Sequence, residues 1–263
     1  MPSLATPYGG VLRGSGRRPA PFVSIFAGPA GALLTTAPEL ARFGRMVLLG
    51  GELDGRRVFP AALLEEAIDV QFRNHPDLDL GYGLGFAPHT FRGRRSTGHD
   101  GGLAGVSTCL QVLPDDGVGV VVLTNGGDAS YVHRVAGRVL EATLRLEPEA
   151  VPGALAGMRD ALAPQWRAFT GRVCGRYRLV DMVPPGIVRL ASDRFARLRL
   201  AHVNDGVLAV EGIDREPAFL YPDGDVGHYR LAHPMADGAR AIIDERRGGA
   251  HLWASILHAR QVR

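Results

Sequence analysis

The sequence predicts an α+β protein, in which an antiparallel sheet flanked by helices is followed by a small antiparallel β-barrel. Amphipathic helical patterns alternate with apolar strand patterns as far as about residue 145, which indicates a sheet covered by helices. Two of these strands flank Pro114-Asp115-Asp116-Gly117 and form the clearest predicted hairpin. From residue 171 onward, short alternating runs follow one another without a long helix, which is typical of a small barrel or sandwich.

The first predicted helix begins well inside the chain. Residues 1–30 are rich in glycine and proline and have neither helical nor strand periodicity, so we expect no regular structure there. Thr36 and Glu39 then have the spacing of a capping box, and Gly50-Gly51 end the apolar pattern that follows. These signals predict a helix over residues 37–49.

A second helix and the strands of the sheet come next. The helix is predicted from Ala61 to about Val70, with Pro60 at its start, where the missing N–H costs nothing. Strands are predicted at 81–88, 91–97, 106–113 and 118–124. Asp128 caps a further helix, whose apolar positions recur at helical spacing: Val132, Val135, Ala136, Val139, Leu140 and Thr143.

The second half of the chain has a different texture. Residues 145–153 have the composition of a linker, and a short helix is predicted around 155–169. Strands are then predicted at 187–191, 195–203, 207–211, 219–221, 228–232, 240–244 and 252–258. The predicted domains are therefore 1–146 and 171–263, joined by a linker and short helix over 147–170.

Composition excludes several classes of function. The chain has 30 basic residues, all of them arginine, and a formal net charge of only +3. The arginines are spread along the sequence rather than clustered with aromatic residues, so we expect no nucleic-acid binding. Cys109 and Cys174 lie in separate predicted domains, which argues against a disulfide framework. No stretch approaches the roughly 18 apolar residues of a membrane span, and no signal segment begins the chain. We expect a soluble protein and leave its compartment open.

No cofactor and no metal site are predicted. The nine histidines include no His-Glu-x-x-His motif, and neither cysteine has a second cysteine or a histidine at ligand spacing. No glycine-rich phosphate loop fits the sequence either.

The run Gly98-His99-Asp100-Gly101-Gly102 precedes the predicted hairpin and is the main candidate for chemistry. Together with three other segments in the same order, it resembles the C-terminal part of the catalytic domain of class C β-lactamases and D,D-peptidase-like serine hydrolases. The other segments are 29–43, 81–86 and 113–125. The resemblance covers roughly residues 5–145.

This resemblance implies a role for each residue of the motif. In the family, a Lys-Thr-Gly or His-x-Gly triplet lies on the strand that lines the active site. His99 would polarise the site and orient substrate, Gly101 would give the ligand room along the strand, and the Gly102 N–H would contribute to the oxyanion hole. Asp100 is a candidate for binding substrate, as a partner for an arginine or for the ammonium group of a substrate, with an exposed turn carboxylate as the alternative. The histidine variant is similar to D-aminopeptidases, D,D-peptidases and esterases, which implies a small molecule or a D-amino-acid peptide as substrate.

The family's first two motifs do not occur in this sequence. No serine is followed by the lysine of Ser-x-x-Lys, and no tyrosine by the asparagine of Tyr-x-Asn. Arginine cannot replace the lysine as a base, because it does not give up its proton. We therefore expect an N-terminally incomplete serine hydrolase that is inactive as the isolated chain. A non-catalytic ligand-binding or regulatory remnant, and one half of a split enzyme completed by an N-terminal chain, are the alternatives.

Gly175-Arg176-Tyr177 resembles the opening of the lipocalin-like barrel that follows the catalytic domain in many members of the family. The resemblance implies an accessory domain over 171–263 that restricts access to the active site. A barrel whose inward residues only fill its own core is the alternative.

Overall fold

The computed structural model describes residues 4–9, 18–22, 28–147, 163–180, 197–204, 206–212, 217–233, 239–246, 249–254 and 257–262. The chain divides into two compact units. The first comprises residues 1–69 and 83–147, and the second comprises 70–82 and 148–263. The α+β class and the barrel predicted from the sequence are both confirmed.

A four-stranded antiparallel sheet forms the centre of the first unit, in the order β5-β6-β7-β8. The elements of this unit are β1 (Tyr8–Gly9), β2 (Arg18–Pro19), α1 (Gly28–Gly31), α2 (Ala37–Leu48), β3 (Glu52–Leu53), β4 (Arg56–Arg57), α3 (Ala61–Ile68), β5 (His89–Phe91), β6 (Arg94–Leu103), β7 (Val106–Leu113), β8 (Val118–Thr124) and α4 (Ala129–Leu144). A 3₁₀ turn at Pro114–Asp116 and Gly117 in the left-handed region join β7 to β8. The predicted hairpin is therefore confirmed, with a connection of four residues, two more than in the tightest type.

Apolar clusters on both faces of the sheet hold the helices in place. Leu110 and Val112 of β7 point to one face, where they pack with Met46 and Val47 of α2 and with Leu64 of α3. On the other face, a second cluster contains residues of β7, β8 and α4: Cys109, Leu113, Val120, Val132, Ala136 and Leu140. Because neighbouring residues of a strand point to opposite faces, β7 contributes to both clusters.

The caps predicted for the two longest helices of this unit are confirmed. The Thr36 hydroxyl accepts from the Glu39 N–H, and the Glu39 carboxylate accepts from the Thr36 N–H, so the capping box of α2 is complete. The Asp128 carboxylate accepts from the Tyr131 N–H at the start of α4.

Two sequence predictions for the first unit were wrong. The start of the chain contains short strands, and the Tyr8 N–H donates to the carbonyls of Gly105 and Asn125, so sheet-end contacts order a segment that has no periodicity of its own. The strand predicted at 81–88 does not form. Tyr82 instead exchanges backbone hydrogen bonds with Phe72, which closes the intervening segment into a loop.

The buried face of α4 also differs slightly from the predicted one. Val132, Ala136 and Leu140 are buried as expected, but Val139 is 43% exposed. His133 is buried in its place, because it contacts a carboxylate of the sheet.

The second unit is built on a closed eight-stranded barrel. Its elements are α5 (Ala163–Val173), β9 (Gly175–Leu179), β10 (Arg197–Asn204), β11 (Val207–Glu211), β12 (Ala218–Pro222), β13 (His228–Ala232), β14 (Arg240–Arg246), β15 (Gly249–Ala254) and β16 (Leu257–Val262). Each strand pairs antiparallel with its neighbours, and β16 closes on β9. The single strand predicted at 252–258 is wrong, because Ala254 pairs with Leu257 and the run turns back on itself. The strand predicted at 187–191 lies outside the described residues.

Aromatic side chains pack among aliphatic ones in the barrel core. Tyr177 and Tyr229 are fully buried, and Trp166 of α5 packs edge-on against Tyr229 at 5.0 Å between ring centroids. The Tyr177 hydroxyl donates to the carbonyl of Val173, which satisfies it in the apolar interior.

Residues 70–82 pack against the barrel, a grouping that the sequence did not indicate. Leu78 is buried with Ile242 and Trp253. The Asp79 carboxylate accepts hydrogen bonds from the Arg230 side chain and from the Arg240 N–H. Apolar and charged contacts therefore hold this loop, which we call the strap (Val70–Tyr82). Among the described residues, no helix combines the length and apolar character required to cross a membrane.

Candidate functional site

The sequence motif at 98–102 lies within β6 rather than in a turn after a strand. His99 pairs with Leu110 of β7, Asp100 with Cys109, and Gly101 with Thr108. Side chains alternate along a strand, so His99 and Gly101 share one face of the sheet while Asp100 and Gly102 share the other. The motif therefore presents two faces with different surroundings.

His99 is exposed, and its ring contacts the backbone carbonyl of the next residue. Nδ1 lies 2.6 Å from the carbonyl oxygen of Asp100. A carbonyl oxygen only accepts hydrogen bonds, so this contact places the proton of a neutral ring on Nδ1 and leaves Nε2 as its acceptor nitrogen. The structure thus selects one tautomer of His99, in which Nε2 is the basic atom.

The glycines of the motif have different steric requirements. A Cβ on Gly98 would overlap the Leu110 carbonyl oxygen, and a Cβ on Gly101 would overlap the Thr108 hydroxyl. A Cβ on Gly102 would have no neighbour within 4 Å. Close packing against β7 therefore requires glycine at 98 and favours it at 101, whereas the surroundings of Gly102 are open.

Asp100 points to the face covered by α4, away from His99. Its Oδ2 lies 3.1 Å from Nε2 of His133, a ring that is 9% exposed. Burial alone would raise the pKa of Asp100, but the contact with His133 and the charges of His133 and His89 lower it. The structure brings together the predicted residues His99 and Gly101, and it separates Asp100 from them.

Cys109 and His89 complete the group around Asp100. The Cys109 Sγ lies 4.0 Å from Nδ1 of His133 and is buried. Burial and the Asp100 carboxylate raise the pKa of this thiol far above its ordinary value. Burial also lowers the pKa of His89, against the opposing charge of Asp100. A thiol held neutral and away from solvent is a poor nucleophile, so the order Cys109, His133, Asp100 is not a catalytic triad.

The sequence did not indicate this second group, because its members are far apart in the chain and do not form a local motif. A signal was nevertheless present: the two residues between Leu103 and Val106 fix the register of a tight hairpin, and that register places Asp100 opposite Cys109. His133 comes from a helix, and only the packing of α4 on the sheet brings it to the pair.

Comparison with known proteins fits this geometry. The family model described as Beta-lactamase matches residues 2–144, more than half of the chain. The chain belongs to the Beta-lactamase family. Its first unit accordingly has a serine-hydrolase-type fold, and the resemblance inferred from the motif is confirmed.

Individual relatives extend beyond the region they share with this member of the Beta-lactamase family. The chain is 36% identical over 124 residues to "Penicillin-binding protein 4" of Amycolatopsis lactamdurans, which covers 44% of this chain and 32% of that protein. The octameric penicillin-binding protein homologue from Pyrococcus abyssi is 19% identical, with a TM-score of 0.47 over 97% of this chain and 52% of that one. SurE is 17% identical, with a TM-score of 0.50 over 98% of this chain and 55% of that one. The chain thus spans about a third of its curated relative and about half of these solved chains.

Proposed function

We propose that this chain supplies the wall of an acyl-transfer site, formed by His99, Gly101 and Gly102 of β6, in a serine hydrolase related to β-lactamases and D,D-peptidases. One observation carries the proposal: His99 and Gly101 share one face of a strand whose surrounding residues match the family model. The reaction is acyl-enzyme hydrolysis of an amide, ester or lactam bond, of the D-aminopeptidase, D,D-peptidase or esterase type.

Each residue of the wall has a role that its surroundings support. His99 keeps its proton on Nδ1 through the Asp100 carbonyl, so Nε2 is the ring nitrogen able to accept a proton or hydrogen bond from a bound substrate. Gly101 leaves space for an extended ligand along β6, and the N–H of Gly102 donates to the developing oxyanion. The substrate-binding role predicted for Asp100 requires its carboxylate on the other face, so we propose that Asp100 instead positions the strand that carries His99.

The nucleophile of this reaction comes from residues outside the present sequence. A serine hydroxyl requires a neighbouring base, and the sequence has no lysine to provide the family's Ser-x-x-Lys arrangement. We propose that the isolated chain does not turn over substrate and that a partner segment with Ser-x-x-Lys and Tyr-x-Asn completes it.

Reconstitution tests this proposal. The chain is expressed alone and together with the part of the Amycolatopsis lactamdurans protein that precedes its matched region. Turnover of a chromogenic cephalosporin and of a D-aminoacyl anilide is then measured. We expect no turnover by the chain alone and measurable turnover by the pair. His99→Ala in the pair should lower kcat/KM by about 10²-fold, the range for a group that acts in proton transfer. His202→Ala, which changes an exposed barrel histidine, should leave kcat/KM unchanged.

Two results would contradict the proposal. Turnover by the purified chain alone would show that the nucleophile is present in this sequence. A reconstituted pair that is indifferent to His99→Ala would show that β6 is not the wall of the site. Penicillin binding by the chain alone, without covalent attachment, would instead support the non-catalytic binding protein.

A further inference from the structure

The buried group behind β6 contains the donor atoms of a metal site. Asp100, Cys109 and His133 each offer one ligand atom, and these atoms all lie within 4.8 Å of one another. Metal–ligand bonds of about 2.0 to 2.3 Å in a tetrahedral Zn²⁺ site place neighbouring donors about 3.3 to 3.7 Å apart. The Asp100 Oδ2 lies 3.1 Å from Nε2 of His133, and the Cys109 Sγ lies 4.0 Å from Nδ1 of the same ring. An ion binds one nitrogen of an imidazole, so binding would require one of these two side chains to shift toward the other nitrogen.

A second histidine lies on the neighbouring strand. His89 pairs with Ser96 in the β5–β6 register, and Ser96 lies on the same face of β6 as Asp100. Its Nδ1 is buried and has no hydrogen-bond partner among the described residues. His89 is not one of the three residues whose ligand atoms lie within 4.8 Å of one another, so it is a neighbour of the group rather than a ligand.

Both nitrogens of His133 face a member of this group. Nε2 contacts the half-buried Asp100 carboxylate, and Nδ1 faces the buried Cys109 thiol. The ring thus lies between a carboxylate and a thiol, and all three side chains are of types that bind transition metals.

We propose that Asp100, Cys109 and His133 bind a single transition-metal ion of the Zn²⁺ class. The donor set of one imidazole, one thiolate and one carboxylate is borderline-soft, which favours Zn²⁺ over Mg²⁺ or Ca²⁺. Cys109 binds as the thiolate, so its proton is released when the ion binds. The ion ties β6 and β7 to α4 directly behind the strand of His99. The inference is independent of the proposed hydrolase function.

Cobalt substitution identifies the thiolate in this site. Purified chain is stripped with a chelator, dialysed and titrated with Co²⁺, and the thiolate-to-cobalt charge-transfer absorption is recorded. We expect this absorption to saturate at one ion per chain. Cys174→Ser removes the other cysteine, which lies in the barrel unit, and should leave the absorption intact. Cys109→Ser should abolish it.

Zinc affinity gives a second readout. Competition with a chromophoric chelator should show that Cys109→Ser and His133→Gln each weaken Zn²⁺ binding by more than about 100-fold, since even outer-shell changes cost about 10 to 100-fold. His251→Gln in the barrel is the matched histidine control and should have no effect. Unmodified chain that gives no charge-transfer absorption, or absorption lost in Cys174→Ser, would overturn the proposal. Both of those results are obtained without a variant in the buried group, so they do not depend on whether Cys109→Ser folds.

Discussion

At the scale of single residues, neighbouring side chains of β6 point to opposite faces of the sheet and have different surroundings. His99 is exposed and oriented by the Asp100 carbonyl, whereas the Asp100 side chain points to His133 under α4. Strand alternation alone produces this separation. The sequence could indicate His99 as a candidate because its motif is local. It could not indicate the partners of Asp100, because they come from another strand and a helix.

The glycines of β6 provide a direct test of its packing. Gly98→Ala should destabilise the first unit by about 1 to 3 kcal/mol, the usual cost of overpacking, because the new methyl group would overlap the Leu110 carbonyl oxygen. Gly102→Ala should change stability by less than about 0.5 kcal/mol, as expected at an open position. Urea denaturation followed by circular dichroism measures both. Equal destabilisation by the two substitutions would show that the packing of β6 on β7 is described wrongly.

A titrating histidine on the barrel gives a second test at this scale. Burial, and then the charge of His258, lower the pKa of His251, while Asp244 opposes the shift and Arg246 and Arg260 support it. The unfolded chain therefore binds a proton at a higher pH than the folded chain does. Stability attributable to this group is complete above the ordinary histidine pKa of about 6.5 and is lost as pH falls toward the lowered folded value.

His251→Asn should make the stability of the barrel unit less dependent on pH below about 6.5. Thermal unfolding at a series of pH values between 7.5 and 5 measures this, with His202→Asn at an exposed position as the control. A pH dependence that is the same in His251→Asn and the unmodified chain would contradict the assignment.

At the scale of elements, local signals were sufficient for the helices and the central hairpin. The side chains of Thr36 and Asp128 accept hydrogen bonds from backbone N–H groups three residues further along, and Gly117 turns the chain in the left-handed region. Because these signals are local, the sequence predicted α2, α4 and the β7–β8 connection. Predictions failed where distant contacts decide the structure. Tyr8 joins the end of the β6–β7 hairpin, and Tyr82 pairs with Phe72 rather than with the sheet. Neither contact has a periodicity that a sequence window could detect.

The capping box of α2 is the element whose contribution is easiest to isolate. Thr36→Ala removes the hydroxyl that accepts from Glu39 N–H and should cost about 1 kcal/mol of unfolding free energy. Thr35→Ala is the neighbouring control, since its hydroxyl donates to the Thr36 carbonyl and the Glu39 carboxylate and satisfies no backbone N–H of the first turn, and it should cost clearly less. Equal costs for the two would mean that Thr36 does not act as the cap.

At the scale of the whole molecule, the two compact units do not follow the order of residues along the chain. The strap lies between segments of the first unit in sequence, yet it belongs to the second. Leu78 and Asp79 explain this, because one is buried with Ile242 and Trp253 and the other accepts hydrogen bonds from Arg230 and Arg240. A sequence reading assigns such a loop to its neighbours in the chain, since side-chain anchors have no local signature.

Leu78→Ala tests the apolar anchor of the strap. Leu78 is 3% exposed, so truncation should weaken the packing of the strap on the barrel by about 2 to 5 kcal/mol. The strap should then be cleaved faster by a protease of broad specificity under native conditions. Leu84→Ala, just outside the strap at a side chain that is 58% exposed, is the control and should not change the cleavage rate. An unchanged rate in Leu78→Ala would show that this side chain does not anchor the strap.

We propose that the residues of this chain form a wall of an acyl-transfer site without the group that is acylated. Mass spectrometry of the intact purified chain, after exposure to a penicillin and to a fluorophosphonate, measures whether any of its side chains is modified covalently. We expect an unchanged mass, and in the reconstituted pair a single adduct confined to the partner segment. A stable covalent adduct on any side chain of the isolated protein would contradict it.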